Sequence, residues 1–236
     1  MKINNLIPPY IIHLVRATTW GGGERYALDL CRESAKRGDK VTVLTKGNPE
    51  IDSKFSDAGA KIKTLPLGGT LDFRSPFILA RILREMAEDD IIVHVHTFKD
   101  AEIAARAKKI IGNRKNVKLV CTRHLVKKGK RSPRWNFIFK NIDALIFVSE
   151  LAKKVFLEGR PKIDPQILSV IHNSIIPPAE EPSHTPGAKP TQQPVSGQES
   201  PVSAKPLPPA AVPQCIAIYT GRISPEKGIE SLIKAL

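Results

Sequence analysis

Three consecutive glycines at positions 21–23 form the first stretch of this sequence that could hold a ligand. The apolar run 10–15 before them predicts a buried strand, and the amphipathic segment from Glu24 predicts a helix that ends at Gly38. The N–H groups of a helix N-terminus attract anions, and glycines let a ligand approach the backbone closely. The pattern is neither GxGxxG nor GxxxxGK[ST], so it indicates either an anion site or a tight turn between strand and helix.

Three histidines lie where later strands are predicted to end. His94 and His96 fall within the apolar run 91–96, and their spacing of two places both side chains on one face of a strand. We interpret these two residues as hydrogen-bonded structural histidines. His124 follows the predicted strand 117–122 and, taken alone, fits a structural role and a functional role equally.

The formal net charge of +14 is concentrated in one region of the chain. Residues 99–140 contain 14 Lys and Arg residues against two acidic residues, which gives this region a charge of +12 and predicts a local basic face. A charge run is usually a solvated surface, but a tryptophan beside it favours contact with a membrane interface. The candidates for such a contact surface are Lys127, Lys128, Lys130, Arg131, Arg134 and Trp135.

Strands that alternate with helices are predicted to position these residues. The predicted strands are 10–15, 41–45, 61–67 (an edge strand), 91–96, 117–122, 144–148 and 167–172, and the later predicted helices are 75–87, 100–111, 133–141 and 150–158. This alternation predicts an α/β fold with a Rossmann-like parallel sheet. Ligands of such sheets bind beyond the carboxyl ends of the strands, where the glycine turn, His96 and His124 are expected. Ser75 is expected to cap the helix 75–87, with Phe77 on its apolar side.

The chain divides into three predicted segments. Residues 1–176 form the Rossmann-like domain. Eleven of the 37 residues in 177–213 are proline, which predicts a disordered linker. Residues 214–236 predict one strand and one amphipathic helix, and because a single βα unit cannot form a domain, we expect the start of an incomplete second Rossmann-like domain.

The composition argues against several classes of protein. Cys31, Cys121 and Cys215 are far apart and lack metal-ligand spacing, so we expect reduced core residues of a cytoplasmic protein. No apolar run approaches the ~18 residues of a membrane-spanning helix, and the N-terminus lacks the features of a signal peptide.

The tail 219–236 holds the most specific pattern in the sequence. Arg222 ends a predicted strand, and Lys227 lies in the first turn of the helix that follows, so both can face a phosphate. The glycine turn, the strand end at His96, His124, Asn173 and this tail occur in an order that resembles the glycosyltransferase 4 family. The resemblance implies the GT-B fold, in which two Rossmann-like domains face each other across a cleft.

The resemblance also implies an activity and roles for individual residues. It implies a hexosyltransferase that moves a sugar from a nucleotide-sugar donor, with retention of configuration, to a glycan or glycolipid acceptor. Arg222 and Lys227 match the residues that stabilise the departing nucleotide diphosphate. The glycine turn matches at Gly22 and Gly23, which would help to hold that diphosphate, and His124 matches a histidine near the transferred sugar. Asn173 matches a structural asparagine, and neither a cofactor nor a metal is expected.

The expected setting is envelope polysaccharide or lipopolysaccharide biosynthesis, in the cytoplasm and peripherally at the inner face of an anionic membrane. The sequence ends before the pair of glutamates that holds the donor in this family, so we expect a truncated chain with weak nucleotide-sugar binding and no turnover alone. A non-catalytic remnant that binds the acceptor is the main alternative. A nucleotide-sugar epimerase is a minor alternative, and a nucleic-acid partner is not expected because no recognised motif accompanies the basic region.

Overall fold

A parallel sheet organises residues 10–68, 72–87 and 90–173, which are the residues described by this computed structural model. Within these ranges the sheet has seven strands in the order β3-β2-β1-β4-β5-β6-β7. The strands are β1 (Tyr10–Val15), β2 (Val41–Thr45), β3 (Lys61–Thr64), β4 (Asp90–Val95), β5 (Asn116–Arg123), β6 (Ala144–Phe147) and β7 (Leu168–Val170). The predicted α/β, Rossmann-like fold is therefore confirmed.

Helices follow most of the strands, as crossover connections of a parallel sheet require. They are α1 (Gly22–Lys36), α2 (Pro49–Asp57), α3 (Arg74–Glu85), α4 (Phe98–Ile111), α5 (Pro133–Phe139) and α6 (Glu150–Glu158). Two short 3₁₀ helices, Gly112–Arg114 and Pro165–Ile167, precede β5 and β7.

Side chains that alternate along β1 pack into two separate hydrophobic clusters. Ile12 and Leu14 belong to the larger cluster, which includes Leu79 of α3. Val15 belongs to the smaller cluster, which includes Leu28 of α1. Each fully buried side chain of this size contributes about 1.5–3 kcal/mol. The smaller cluster thus holds α1 against the sheet and fixes the glycine turn at the carboxyl end of β1.

Most predicted elements agree with the structure. Strands β1 and β2 and helix α6 have the predicted bounds, β3 is an edge strand, and the thiols of Cys31 and Cys121 are buried and free. Helix α2 was not predicted from the sequence. Its start carries a recognisable signal, because Asn48 Oδ1 accepts hydrogen bonds from the N–H groups of Glu50 and Ile51.

The prediction for the start of α3 was wrong. Ser75 lies inside the first turn, where its hydroxyl accepts a hydrogen bond from the N–H of Leu67. Asp72 Oδ1 instead accepts a hydrogen bond from the N–H of Ser75, so an aspartate three residues upstream caps this N–H group. Phe77 is 63% exposed and does not join the core.

The predicted linker 177–213, the segment 214–236, Arg222, Lys227 and Cys215 lie outside the described residues. Among the residues that the structure describes, no helix has the length and apolar character needed to cross a membrane.

Candidate functional site

The glycine turn leaves the start of α1 open. Gly21 is the N-cap residue in an extended conformation, and no side chain accepts a hydrogen bond from the first-turn N–H groups of α1. A Cβ atom at Gly22 would meet nothing within 4 Å. These N–H groups point toward the carboxyl edge of the sheet and are available to a ligand.

The structure brings the glycine turn to His124. A Cβ atom at Gly23 would lie 3.8 Å from His124 Cδ2. Tyr26, one turn along α1, packs edge-on against His124, with ring centroids 4.9 Å apart, and against His96 at 6.0 Å. Gly23 and His124, which were selected separately from the sequence, therefore lie next to each other at the carboxyl edge of the sheet.

A small pocket, open to solvent, lies beside these residues. It is bounded by the end of β1, the first turn of α1 and the β4–α4 connection. Its lining residues are Leu14, Val15, Arg16, Gly23, Glu24, Ala27, His96, Thr97 and Asp100. The polar groups include both signs of charge, so the pocket can bond to sugar hydroxyls as well as to an anion.

Arg16 and Asp100 form an ion pair at the floor of the site. Arg16 Nε donates to Asp100 Oδ1 at 2.7 Å, and Arg16 Nη1 donates to the carbonyl oxygen of Gly68 at 3.1 Å. Asp100 is fully buried and also accepts a hydrogen bond from the Thr97 hydroxyl. Burial raises the pKa of Asp100, although Arg16 and Thr97 act in the opposite direction.

Arg16 was missed in the sequence analysis. Its Nη2 atom is buried without a hydrogen-bond partner among the described residues. The available signal was its position directly after a buried strand, at the edge where ligands of parallel sheets bind.

Four imidazoles line the interior of this edge: those of His13, His94, His96 and His124. His94 Nε2 lies 2.8 Å from Thr122 Oγ1, and His13 Nδ1 lies 3.3 Å from His96 Nε2. His13 was not selected from the sequence, because its position opposite His94 depends on the register between β1 and β4. The hydrogen-bonded role predicted for His94 and His96 agrees with these distances.

Burial keeps these imidazoles uncharged. It lowers the pKa of His13 to about 4 and lowers the pKa of His124 below its ordinary value. The pKa of His96 is lowered by burial and further by the neighbouring histidines. His124 is therefore neutral at physiological pH, and its Nε2 atom is buried without a partner among the described residues.

The basic loop, defined as residues 124–132 between β5 and α5, carries four of the predicted surface residues. Lys127, Lys128, Lys130 and Arg131 are all exposed, and Lys128 pairs with Glu158 at 3.3 Å. Beneath the loop, the buried Arg123 donates a 2.7 Å hydrogen bond to the carbonyl oxygen of Lys127. Its guanidinium also stacks on the rings of Phe98 and Phe156, which anchors the start of the loop.

Two apolar residues of the basic loop were missed in the sequence analysis. Leu125 and Val126 are 59% and 50% exposed, directly before the lysines. Adjacent exposed apolar and basic side chains are typical of surfaces that touch a membrane or a partner.

Arg134 and Trp135, which were predicted to share this surface, have structural partners instead. Arg134 Nε donates to Glu102 at 2.7 Å, and the same carboxylate pairs with Arg106. Trp135 is half-buried against Phe98, with ring centroids 4.5 Å apart. The reason is that α5 packs on α4, which turns Trp135 toward the core and brings the exposed Arg134 to Glu102.

The charge of +12 between residues 99 and 140 does not form one face. Arg123 is buried, Arg106 and Arg134 bind Glu102, and Lys108 donates a 2.5 Å hydrogen bond to Asp143. The prediction of a single basic face was therefore wrong. The exposed basic surface is reduced to the basic loop and scattered positions on α4 and β5.

Several glycosyltransferases are among the solved structures that are similar in fold to this chain. Anabaena Alr3699/HepE in complex with UDP and glucose has 17% identity, a TM-score of 0.54, and coverage of 71% of this chain and 45% of its own. A Rickettsia africae glycosyltransferase has 17% identity, a TM-score of 0.57, and coverage of 72% and 44%. The lipopolysaccharide outer core galactosyltransferase WaaB has 15% identity, a TM-score of 0.52, and coverage of 71% and 46%. At these identities the likeness establishes the fold, and this chain spans less than half the length of each of these proteins.

The comparison with a family model identifies the family, whereas the individual structures establish only the fold. No curated protein sequence matches the chain significantly. The sequence pattern of Glycosyltransferase Family 4 matches residues 20–177, which is about two thirds of the chain and includes the glycine turn and His124. The chain therefore belongs to Glycosyltransferase Family 4.

Proposed function

We propose that this protein takes part in transferring a sugar from a nucleotide-sugar donor to a glycan or glycolipid acceptor. The observation that carries the proposal is the position of His124 beside Gly23, at an uncapped helix N-terminus. Family membership supports the reaction class, and the Anabaena structure is a complex with UDP and glucose. Envelope polysaccharide or lipopolysaccharide assembly is the proposed setting.

In the proposed reaction, the bond between the donor sugar and the diphosphate breaks while an acceptor hydroxyl oxygen bonds to the same sugar carbon. The departing diphosphate gains negative charge, and the proton of the acceptor hydroxyl can pass to it. The N–H groups of Gly22 and Gly23 would donate to this anion. For Arg222 and Lys227, which lie outside the described residues, the family resemblance alone supports a charge-stabilising role. Neutral His124 would hold a hydroxyl of the transferred sugar.

Glu24 favours an acceptor role for the pocket itself. Glu24 lines the pocket next to Gly23, and its carboxylate would repel a diphosphate that entered deeply. A carboxylate is, however, a strong acceptor for sugar hydroxyls. We therefore assign the diphosphate to the rim formed by the glycine turn and a hydroxyl group of the acceptor to the pocket.

The basic loop is proposed to meet a phosphorylated glycolipid or the anionic membrane surface. It begins at the carboxyl end of β5, on the same edge as the pocket, and combines exposed basic residues with Leu125 and Val126. Each Lys or Arg near such a surface contributes ~1 kcal/mol. A location at the inner face of the membrane is part of this proposal.

A transfer assay combined with calorimetry tests the proposed reaction. The 236-residue chain is incubated with a panel of nucleotide sugars and extracted envelope glycolipids, and label transfer and nucleoside diphosphate release are measured. Transfer from one donor that disappears in His124→Ala and Arg222→Ala, but persists in His172→Ala, would support the proposal. Transfer by the chain alone would overturn the expectation of no turnover that was drawn from the sequence. Acceptor binding without transfer would favour a non-catalytic acceptor-binding module, and the absence of both binding and transfer would contradict the proposal.

A further inference from the structure

Three imidazoles meet where β1 and β4 lie side by side. His13 is paired with His94 in the register of the two strands, and His96 follows two residues later on the same face. His13 and His94 are 1% and 8% exposed, and His96 is partly exposed. The polar contacts that the structure gives these rings are with one another and with Thr122. A group of neutral imidazoles without a carboxylate partner is unusual inside a hydrophobic sheet.

The separations of the ring nitrogens suit a small metal ion. One nitrogen from each ring lies within 4.8 Å of those of the other two. His13 Nδ1 and His96 Nε2 are 3.3 Å apart. Two nitrogens bound tetrahedrally to Zn²⁺ at 2.0–2.1 Å lie about 3.3–3.4 Å from each other. The separation of these two nitrogens thus matches one edge of a zinc coordination polyhedron, and the third nitrogen needs to move closer by about 1.5 Å at most.

The hydrogen bond between His94 and Thr122 favours metal binding by His94. When His94 Nε2–H donates to the Thr122 hydroxyl, 2.8 Å away, Nδ1 is the unprotonated nitrogen that presents a lone pair. Histidine ligands in metal sites are usually oriented by such a bond from the other ring nitrogen. Three imidazoles favour Zn²⁺, Co²⁺, Ni²⁺ or Cu²⁺ over Mg²⁺ and Ca²⁺, which prefer oxygen ligands.

We propose that His13, His94 and His96 bind one divalent ion of the zinc class, with Thr122 as a positioning residue. His96 also lines the pocket below the glycine turn, so a water or a ligand oxygen in that pocket can take the fourth position. The proposal departs from the expectation of no metal drawn from the sequence. The three histidines form a ligand set only through the pairing of β1 with β4, which residue spacing along the chain does not reveal.

Cobalt titration of the full chain tests the site. Untagged protein is stripped with a chelator and titrated with Co²⁺, whose visible absorption identifies tetrahedral nitrogen ligation. We expect about one equivalent to bind with micromolar affinity or tighter, Zn²⁺ to displace it, and Mg²⁺ to have no effect. We also expect Zn²⁺ to raise the Tm, because the ion binds only the folded site. Wild-type protein with neither the cobalt absorption nor a zinc-dependent rise in Tm would overturn the proposal.

Variants locate the bound ion. His13→Asn and His96→Asn should each weaken Co²⁺ binding by at least about tenfold, and Thr122→Val should weaken it by about tenfold. The exposed His172 lies outside the group and provides the matched control, since His172→Asn should bind as the wild type does. Circular dichroism of each variant separates lost ligation from lost folding. Equal weakening in His172→Asn and His13→Asn, with all variants folded, would overturn the assignment.

Discussion

Gly23 lies beside His124, so that a Cβ atom at position 23 would be 3.8 Å from His124 Cδ2. Gly23 belongs to the first turn of α1, whereas His124 follows β5, two strands away across the sheet. Their proximity places an uncapped helix N-terminus beside a neutral imidazole. The proposed site depends on this proximity more than on any single residue.

Two substitutions at Gly23 should affect the free energy of unfolding and nucleotide-sugar binding differently. In Gly23→Ala the new methyl group makes an ordinary van der Waals contact, and helical Ala is favoured over Gly by roughly 0.5–1 kcal/mol, so the free energy of unfolding should be unchanged or slightly higher. Gly23→Val should remain folded but weaken nucleotide-sugar binding, because its branches occupy the space beside His124. Denaturant unfolding and calorimetry measure the two effects.

Gly22→Ala is the matched control for these variants, since its methyl group would meet no neighbour within 4 Å. A loss of more than about 2 kcal/mol in Gly23→Ala would mean that the turn packs more tightly than the structure shows.

Removal of Arg16 should be strongly destabilising. Asp100 is fully buried, so Arg16→Ala would leave an uncompensated carboxylate in the interior at a cost of about 3–5 kcal/mol. Protonation of Asp100 removes that charge, so the loss should shrink at acidic pH. Urea unfolding at neutral and acidic pH measures both effects.

Arg25→Ala provides the comparison for Arg16→Ala, because Arg25 forms a 3.0 Å pair with Asp29 on the exposed side of α1. Its removal should cost no more than about 1 kcal/mol. Equal losses in the two variants would contradict the assigned role of the buried pair.

The buried thiols of Cys31 and Cys121 should resist alkylation. They should also make the free energy of unfolding depend on pH in the alkaline range. Burial raises the pKa of Cys31 and of Cys121 from 9.0 to about 12 in the folded state. The folded protein therefore retains protons that the unfolded chain loses above pH 9, and the free energy of unfolding should fall as the pH rises from 9 toward 12.

Thiol labelling in a Cys215→Ser background checks this directly. We expect no labelling of the folded protein at pH 8.5 and complete labelling in denaturant. Rapid labelling of the folded protein would show that Cys31 or Cys121 is accessible.

The basic loop should bind anionic membranes. Lys127→Ser combined with Lys130→Ser removes two exposed charges worth ~1 kcal/mol each at such a surface, so binding to anionic vesicles should fall about 30-fold. Sedimentation with liposomes at low and high ionic strength measures this change, and salt should weaken the wild-type binding.

Lys61→Ser combined with Lys63→Ser removes the same charge from the edge strand β3 and serves as the control. Equal loss in the two double variants, or equal wild-type binding to neutral and anionic vesicles, would contradict a membrane role for the basic loop.

Sequence periodicity predicted the sheet and most helices, because each buried strand is a short apolar run bounded by turn residues. The glycine turn and His124 were also selected from the sequence, since both follow predicted strands and ligands bind at that edge. The start of α3 was mispredicted because two polar residues, Asp72 and Ser75, both fit the capping pattern. Only the structure shows that Ser75 bonds to Leu67 instead.

Contacts between distant segments could not be predicted from the sequence. The meeting of His13 with His94 and His96 depends on strand register, and the pair between Arg16 and Asp100 joins β1 to α4 across 84 positions. The prediction of a single basic face in residues 99–140 was wrong for the same reason. Basic residues that are close in sequence contact different partners, because α5 packs on α4.

The location of the ligand site is the central claim, and an NMR titration tests it most directly. Isotope-labelled chain is titrated with a panel of nucleotide sugars, and the shifts of its assigned backbone amides are followed. The account predicts that at least one nucleotide sugar perturbs the amides of Gly22, Gly23 and His124 and leaves those at the opposite edge, such as Asn116, unchanged. A panel in which no compound perturbs the glycine turn, or one in which the shifts cluster at the opposite edge, would contradict it.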